Sequence, residues 1–339
     1  MTSSRIRFSP PRARQAAGQQ TGFTLVELMV AIVLILLIVL VATGVLLASK
    51  SSFATNDSVS QLQDQSRFGT YVLRRLSEQA GYEDYTNPNG SNRASDAVTD
   101  AAALIASSTP CYSVDVCGIN NRRVNATQVI NGAAGRTGTF TDGQGNTITT
   151  DTLVIRFQGR SLPTDVTQPD GSMIDCAGNG QAAPMPNSSA VSSRAISVFY
   201  VDYSATTGEP ELMCSYIGTT GAVGSISLVR GIDTFQVLYG LDTNDDSVPE
   251  AYVRADQIAT AAAAAGVTQQ TMWRRVRAVR FGMILRGPVG SGPASDGNTR
   301  VLYPLGAQAA GEPSGTFAVP NDRRLRRVVT FTVMLRNNL

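Results

Sequence analysis

Histidine is absent from the 339 residues, and of 28 basic side chains only Lys50 is a lysine. The first absence removes the commonest acid/base catalyst and metal ligand. Equally missing are a GxSxG elbow, a glycine loop ending in lysine and an HExxH pair, so the residues of serine hydrolysis, phosphate cradling and zinc proteolysis are not there. The expectation is a non-enzyme without a resident cofactor. Aromatic residues make up 6% of the chain, and no ladder of them interleaves with its arginines, as stacking on single strands requires. Net charge is nearly nil, with 28 basic against 26 acidic residues, so whole-chain electrostatics announce no nucleic-acid partner.

Charge is also missing from one continuous stretch, Leu28 to Ala48. Those 21 residues as a helix span about 31 Å, enough to cross the hydrocarbon of a bilayer. Residues 1–22 carry Arg5, Arg7, Arg12 and Arg14 and no acid, which puts the N-terminus in the cytoplasm and the rest beyond the membrane. The apolar run is too long for an ordinary secretory signal. Just before it stands one anomaly, Glu27, because a carboxylate at the edge of an apolar span is costly in lipid and calls for a partner.

The residues Gly22-Phe23-Thr24-Leu25-Val26-Glu27 resemble the processing signal of type IV prepilins and pseudopilins. That resemblance implies cleavage between Gly22 and Phe23 by a membrane prepilin peptidase and N-methylation of Phe23. It makes Glu27 the assembly residue, pairing with the α-amino group of a neighbouring subunit. Glycine suits such a cleavage site because it leaves the backbone unobstructed. The expected organisation is a leader over 1–22, a transmembrane and assembly helix over 23–50, a periplasmic continuation over 51–81 and a β-rich head over 82–339.

Past the membrane, Val59, Leu62, Phe68, Val72, Leu73 and Leu76 recur at helical spacing, and Gly81 is placed to end the helix. Residues 82–150 read as loop-heavy decoration rich in turn residues. Alternation then predicts strands over 153–158, 196–203, 212–217, 226–241, 276–285 and 328–335, with a short helix near 255–266. The fold class expected is α+β: a long N-terminal helix packed on a mainly antiparallel sheet with loop insertions, as in pilins. Trp273 is expected in the core.

Phe235 to Asp242, Trp273 to Arg286 and Arg326 to Asn337 resemble PilW-type minor pilins. The resemblance implies a subunit that helps to start or cap a type IV pilus. It also implies major and other minor pilins, the peptidase and an inner-membrane assembly platform as partners. The location it implies is the bacterial inner membrane, then the fibre or its tip. A type II secretion pseudopilin, or a tip adhesin or DNA-binding minor pilin, is the alternative.

Four cysteines, Cys111, Cys117, Cys176 and Cys214, lie beyond the span, and an even count in an exported chain suggests two disulfides. Three connectivities are open; proximity in the chain favours Cys111–Cys117 with Cys176–Cys214. Asp242, Asn244, Asp246 and Glu250 set oxygen ligands at near-alternate positions, making calcium a candidate, although Ser247 stands where a calcium loop would bend at glycine. Arg274, Arg275, Arg277 and Arg280, with Arg323, Arg324, Arg326 and Arg327, form two basic runs. These are the candidate contacts for DNA or for acidic patches on a partner.

Overall fold

The computed structural model describes residues 22–83, 114–123, 148–184, 194–204, 206–218, 223–292 and 299–337. The chain divides into two compact units, Met1–Phe53 and Ala54–Leu339. One helix, α1, runs Leu25–Glu78. Among the described residues it is the one helix long and apolar enough to cross a membrane.

In the first unit the helical side chains from Leu25 to Leu47 are exposed, the large aliphatic ones included. A surface of this kind is stable only against lipid or other helices. In the second unit α1 is amphipathic. Leu62, Leu73 and Leu76 are buried, with Ser58, Ser66 and Ser77 as small spacers along the same face. Gly69 completes the close approach, since a Cβ there would stand 3.1 Å from Val229. The helix then stops firmly. Gly81 adopts a left-handed φ of +71° and donates its N–H to the Arg156 carbonyl at 2.9 Å. The Gln79 amide brackets Ile174, accepting from its N–H at 3.0 Å and donating to its carbonyl at 3.2 Å.

Strands β1 (Val116–Arg123), β2 (Thr149–Phe157), β5 (Ala195–Tyr203), β6 (Pro210–Ile217) and β7 (Val223–Arg230) form an antiparallel sheet in that order. A small hairpin, β3 (Ser161–Leu162) with β4 (Asp165–Pro169), hangs between β2 and β5. The second sheet has the order β13-β10-β8-β9, built from β8 (Ile232–Leu241), β9 (Ala251–Val253), β10 (Val276–Arg286) and β13 (Arg326–Met334), again antiparallel. The two sheets and the second half of α1 share one apolar cluster that includes Leu73, Leu153, Phe199, Leu212, Phe235 and Phe281. Polar bonds pin one sheet to the other: Asp151 accepts from the Val237 N–H at 2.8 Å, and Gln236 donates to the Thr149 carbonyl at 2.9 Å.

The long strand expected over 226–241 is two strands in two sheets. Gly231, at φ +70°, turns the chain between them, donating to the Pro210 carbonyl and accepting from the Arg286 N–H. Its place cannot take a side chain, because a Cβ would lie 2.5 Å from the Arg286 carbonyl oxygen. The stretch expected to be loops over 82–150 contains β1 among its described residues.

Between β9 and β10 a 3-10 turn leads into α2 (Ile258–Ala264) and α3 (Gln269–Arg274). Thr268 caps α3 by accepting from the Thr271 N–H. Trp273 is fully buried at the end of α3 and packs edge-on against Tyr239 at 4.8 Å. Finally β11 (Val301–Leu302) and β12 (Phe317–Ala318) pair in a strap. Its Pro304 carbonyl accepts from Thr330 at 2.7 Å, and Gly282 lies so close beneath that a Cβ would meet the same oxygen at 2.4 Å.

Candidate functional site

The helix begins where its sequence allows a cap. Gly22, Phe23 and Thr24 precede the first helical residue, and Phe23 is 84% exposed. Thr24 accepts the Glu27 N–H on its hydroxyl at 3.3 Å, and its carbonyl accepts the Leu28 N–H. Thr24-x-x-Glu27 thus has the form of a capping box, in which the first-turn N–H groups gain a partner and the acid sits at the positive end of the helix. Thr24 was not among the residues singled out from sequence, although the pattern that marks it was present there. Glu27 is exposed, so the carboxylate stands available to another molecule, one turn from the proposed cleavage point.

Cys176 and Cys214 are joined in a disulfide with Cα atoms 6.4 Å apart, tying the turn before residue 180 to β6. Cys117, on β1, is also disulfide-bonded. Cys111 lies outside the described residues.

The turn between β8 and β9 gathers the acidic cluster. Oxygens of Asp242, Asp246 and Glu250 lie within 4.8 Å of one another. Asp242 is buried, and both of its oxygens are engaged: Oδ1 accepts from the N–H groups of Asp245 at 2.6 Å and Asp246 at 3.1 Å, and Oδ2 accepts from Ser247 at 2.8 Å and Arg277 Nε at 3.1 Å. Burial pushes this carboxyl up, but the Arg277 guanidinium and the three N–H groups outweigh it and hold it below the usual carboxylate range. Glu250 accepts from Thr243, and the Asn244 amide donates to Asp246. These groups close the turn on its own donors, with a guanidinium supplying the positive charge that calcium would bring. The calcium site expected from the sequence is thus three carboxylates gathered within reach of one ion, with Asp242 already engaged by Arg277 and three N–H groups.

The basic runs are largely occupied inside the head. Arg277 is buried on Asp242 and reaches Asp245 at 3.4 Å. Arg280 lies 4.0 Å over the Tyr252 ring and donates to Thr332. Arg275 donates to the Thr243 carbonyl, and Arg274, at the end of α3, is half-buried.

The second run joins a chain of alternating charges. Arg324 holds Glu209 at 2.8 Å; Glu209 holds Arg286 at 2.6 Å; Arg286 and Arg326 share Asp233 at 3.1 and 2.7 Å; Arg326 reaches on to Asp322 at 2.6 Å. The grouping answers a local problem, because Arg286 and Arg326 are directly opposite across the β10–β13 ladder, where like charges repel. Asp233, buried on β8, sits on both. Burial pushes the Glu209 and Asp322 carboxyls up, but the arginines outweigh it and leave both lowered. Arg323 and Arg327 remain exposed. Asp322 apart, the sequence thus shows the arginines but not their partners, which lie on distant strands and loops.

Residues 18–43 match the prokaryotic N-terminal methylation motif. On a long apolar helix followed by an antiparallel head, that match supports the type IV pilin class, whose members are structural subunits. Residues 198–337 match the family model of the Type IV Pilus-assembly protein W, PilW, and the two matches together support a type IV minor pilin. Among solved structures, a type IV-like pilin from Thermus thermophilus aligns over 82% of this chain and 97% of its own, at 13% identity and a TM-score of 0.36. No curated protein matches the chain.

Proposed function

We propose that this chain is a minor pilin that helps to start or cap a type IV fibre. The observation that carries the reading is the pairing of a methylation-motif helix, exposed and apolar over its first unit, with a match to PilW over residues 198–337. After cleavage between Gly22 and Phe23 and methylation of Phe23, the helix leaves the bilayer by exchanging lipid for the helices of other pilins. The apolar surface stays covered throughout, so the exchange is close to neutral, and polar contacts decide which subunit docks and where. Glu27 is the polar contact, set one turn from the new α-amino terminus and matched to the amino group of a neighbour. The head, beyond the membrane on the periplasmic side, selects partners.

Deleting the gene separates the readings by fibre statistics. A subunit that starts fibres is expected, when lost, to reduce the number of surface fibres while leaving their length distribution unchanged, as counted by electron microscopy. A subunit that caps them is expected to change length instead. Unchanged number and length contradict both roles. Loss of protein secretion with intact surface fibres favours the secretion pseudopilin.

A further inference from the structure

Strand β13 is the outer strand of the second sheet, and its ladder with β10 runs from Arg326 to Met334 without a bulge. Two further bonds extend that register: Gly287 donates to the Leu325 carbonyl at 2.8 Å, and Leu335 donates to the Arg277 carbonyl at 2.7 Å. In an antiparallel ladder alternate residues turn both backbone groups to the partner strand. Counted from either end, Val329, Phe331 and Val333 face β10, whereas Val328, Thr330, Thr332 and Met334 turn their N–H and C=O groups outward. Among the described residues none of these outward groups has a hydrogen-bond partner.

An edge of this length is normally blunted by a charge, a proline or a bulge. Val328 to Met334 has none of the three and is rich in β-branched residues. Phe331 stacks on Phe281 at 4.9 Å, yet it and Val329 are only half-buried, so apolar surface stands open beside the free backbone groups. Charge gathers at the two ends. Residues 323–339 contain five arginines and no acid. Arg324 and Arg326 are held by Glu209, Asp233 and Asp322. Arg323, Arg327 and Arg336 are exposed and make no ion pair among the described residues.

We infer that the open edge of β13 takes an extended segment of a different protein, adding a strand that is uncharged in the middle and acidic at its ends. The free N–H and C=O groups supply the affinity, and alternate apolar side chains of the incoming strand cover Val329 and Phe331. Carboxylates at its ends meet Arg327 and Arg336. A second copy does not fit. Two β13 strands pairing antiparallel about their centres set Arg326 and Arg327 of one beside Arg336 of the other at both ends, where like charges repel. Placing the segment on another member of the fibre rests on the starting or capping role proposed above, since a subunit in that role meets proteins unlike itself.

The test puts a photo-crosslinking benzoylphenylalanine in place of the exposed Met334 in the full-length chain, in piliated cells, and sequences the peptide it captures. The expected peptide belongs to another protein and has an uncharged, β-prone core with an acid within a few residues of each end. Thr332→Pro removes one outward N–H and leaves every bond to β10 in place, so capture should fall about tenfold, the worth of one lost ladder hydrogen bond. Thr332→Val keeps that N–H and should capture as before. Because proline also strains an extended strand, the double variant Arg327→Glu, Arg336→Glu is measured beside it, with a fall of about fivefold expected from the reversed charges. The urea midpoint followed by Trp273 fluorescence reports that each variant is folded. Capture only of the chain itself, capture of a peptide without acids, undiminished capture in either folded variant, or no capture at all overturns the inference. The fibre reading fails separately: a partner captured in the membrane fraction, with the chain missing from sheared fibres, keeps the edge contact and overturns the role in the fibre.

Discussion

Replacing Asp233 with alanine is expected to destabilise the head by about 3–5 kcal/mol, the cost of stripping a buried charge from its partners. Asp233 is 2% exposed and is the acid shared by Arg286 and Arg326. Without it, two guanidinium groups directly opposite each other on neighbouring strands are left with Glu209 on one side and Asp322 on the other, and nothing between them. Arg327, next along β13 and exposed, is the comparison: its alanine variant is expected to stay within about 0.5 kcal/mol. The chain carries its own reporter, since its single tryptophan is fully buried. Fluorescence of Trp273 during urea unfolding of the detergent-solubilised protein measures both variants, and equal midpoints would contradict the role given to Asp233.

Replacing Glu27 with valine is expected to leave the chain in the membrane yet remove it from fibres. By hydropathy alone the change is favourable, because it takes a carboxylate out of an apolar series and eases insertion. Assembly should nonetheless fall by roughly a hundredfold or more, because a buried α-amino group left without its acid costs about 3 kcal/mol or more. Immunoblots of membrane and sheared-fibre fractions separate the two effects. Fibre incorporation equal to that of the unsubstituted chain would mean that Glu27 serves only to cap its own helix with Thr24.

Local signals carried the reading of α1, the antiparallel strands and the core position of Trp273, because helical spacing, alternation and a charge-free run each act over a few residues. The same reliance on local signal explains what was missed. Val229-Arg230-Gly231-Ile232-Asp233 continues the alternation smoothly, so nothing nearby shows that Gly231 carries the chain from one sheet to another; the constraint comes from the Arg286 carbonyl, far along the sequence. Strand β1, Val116-Cys117-Gly118-Ile119 followed by Asn120 and Asn121, has too little alternation to stand out and is held by pairing with β2. The basic runs looked like a surface because their acids, Asp233, Glu209 and Asp242, are separated from them in sequence and reach them only across strands and loops. Thr24, by contrast, was legible as the first residue of a T-x-x-E box.

Assembly of this chain as a pilin depends on processing after Gly22. The most direct measurement is the N-terminal residue of the membrane-extracted protein, by intact mass and N-terminal peptide sequencing, from cells with and without prepilin peptidase. A mature chain starting at N-methylated Phe23 is expected, replaced by the unprocessed chain when the peptidase is missing. The same uncleaved N-terminus in both strains would contradict it.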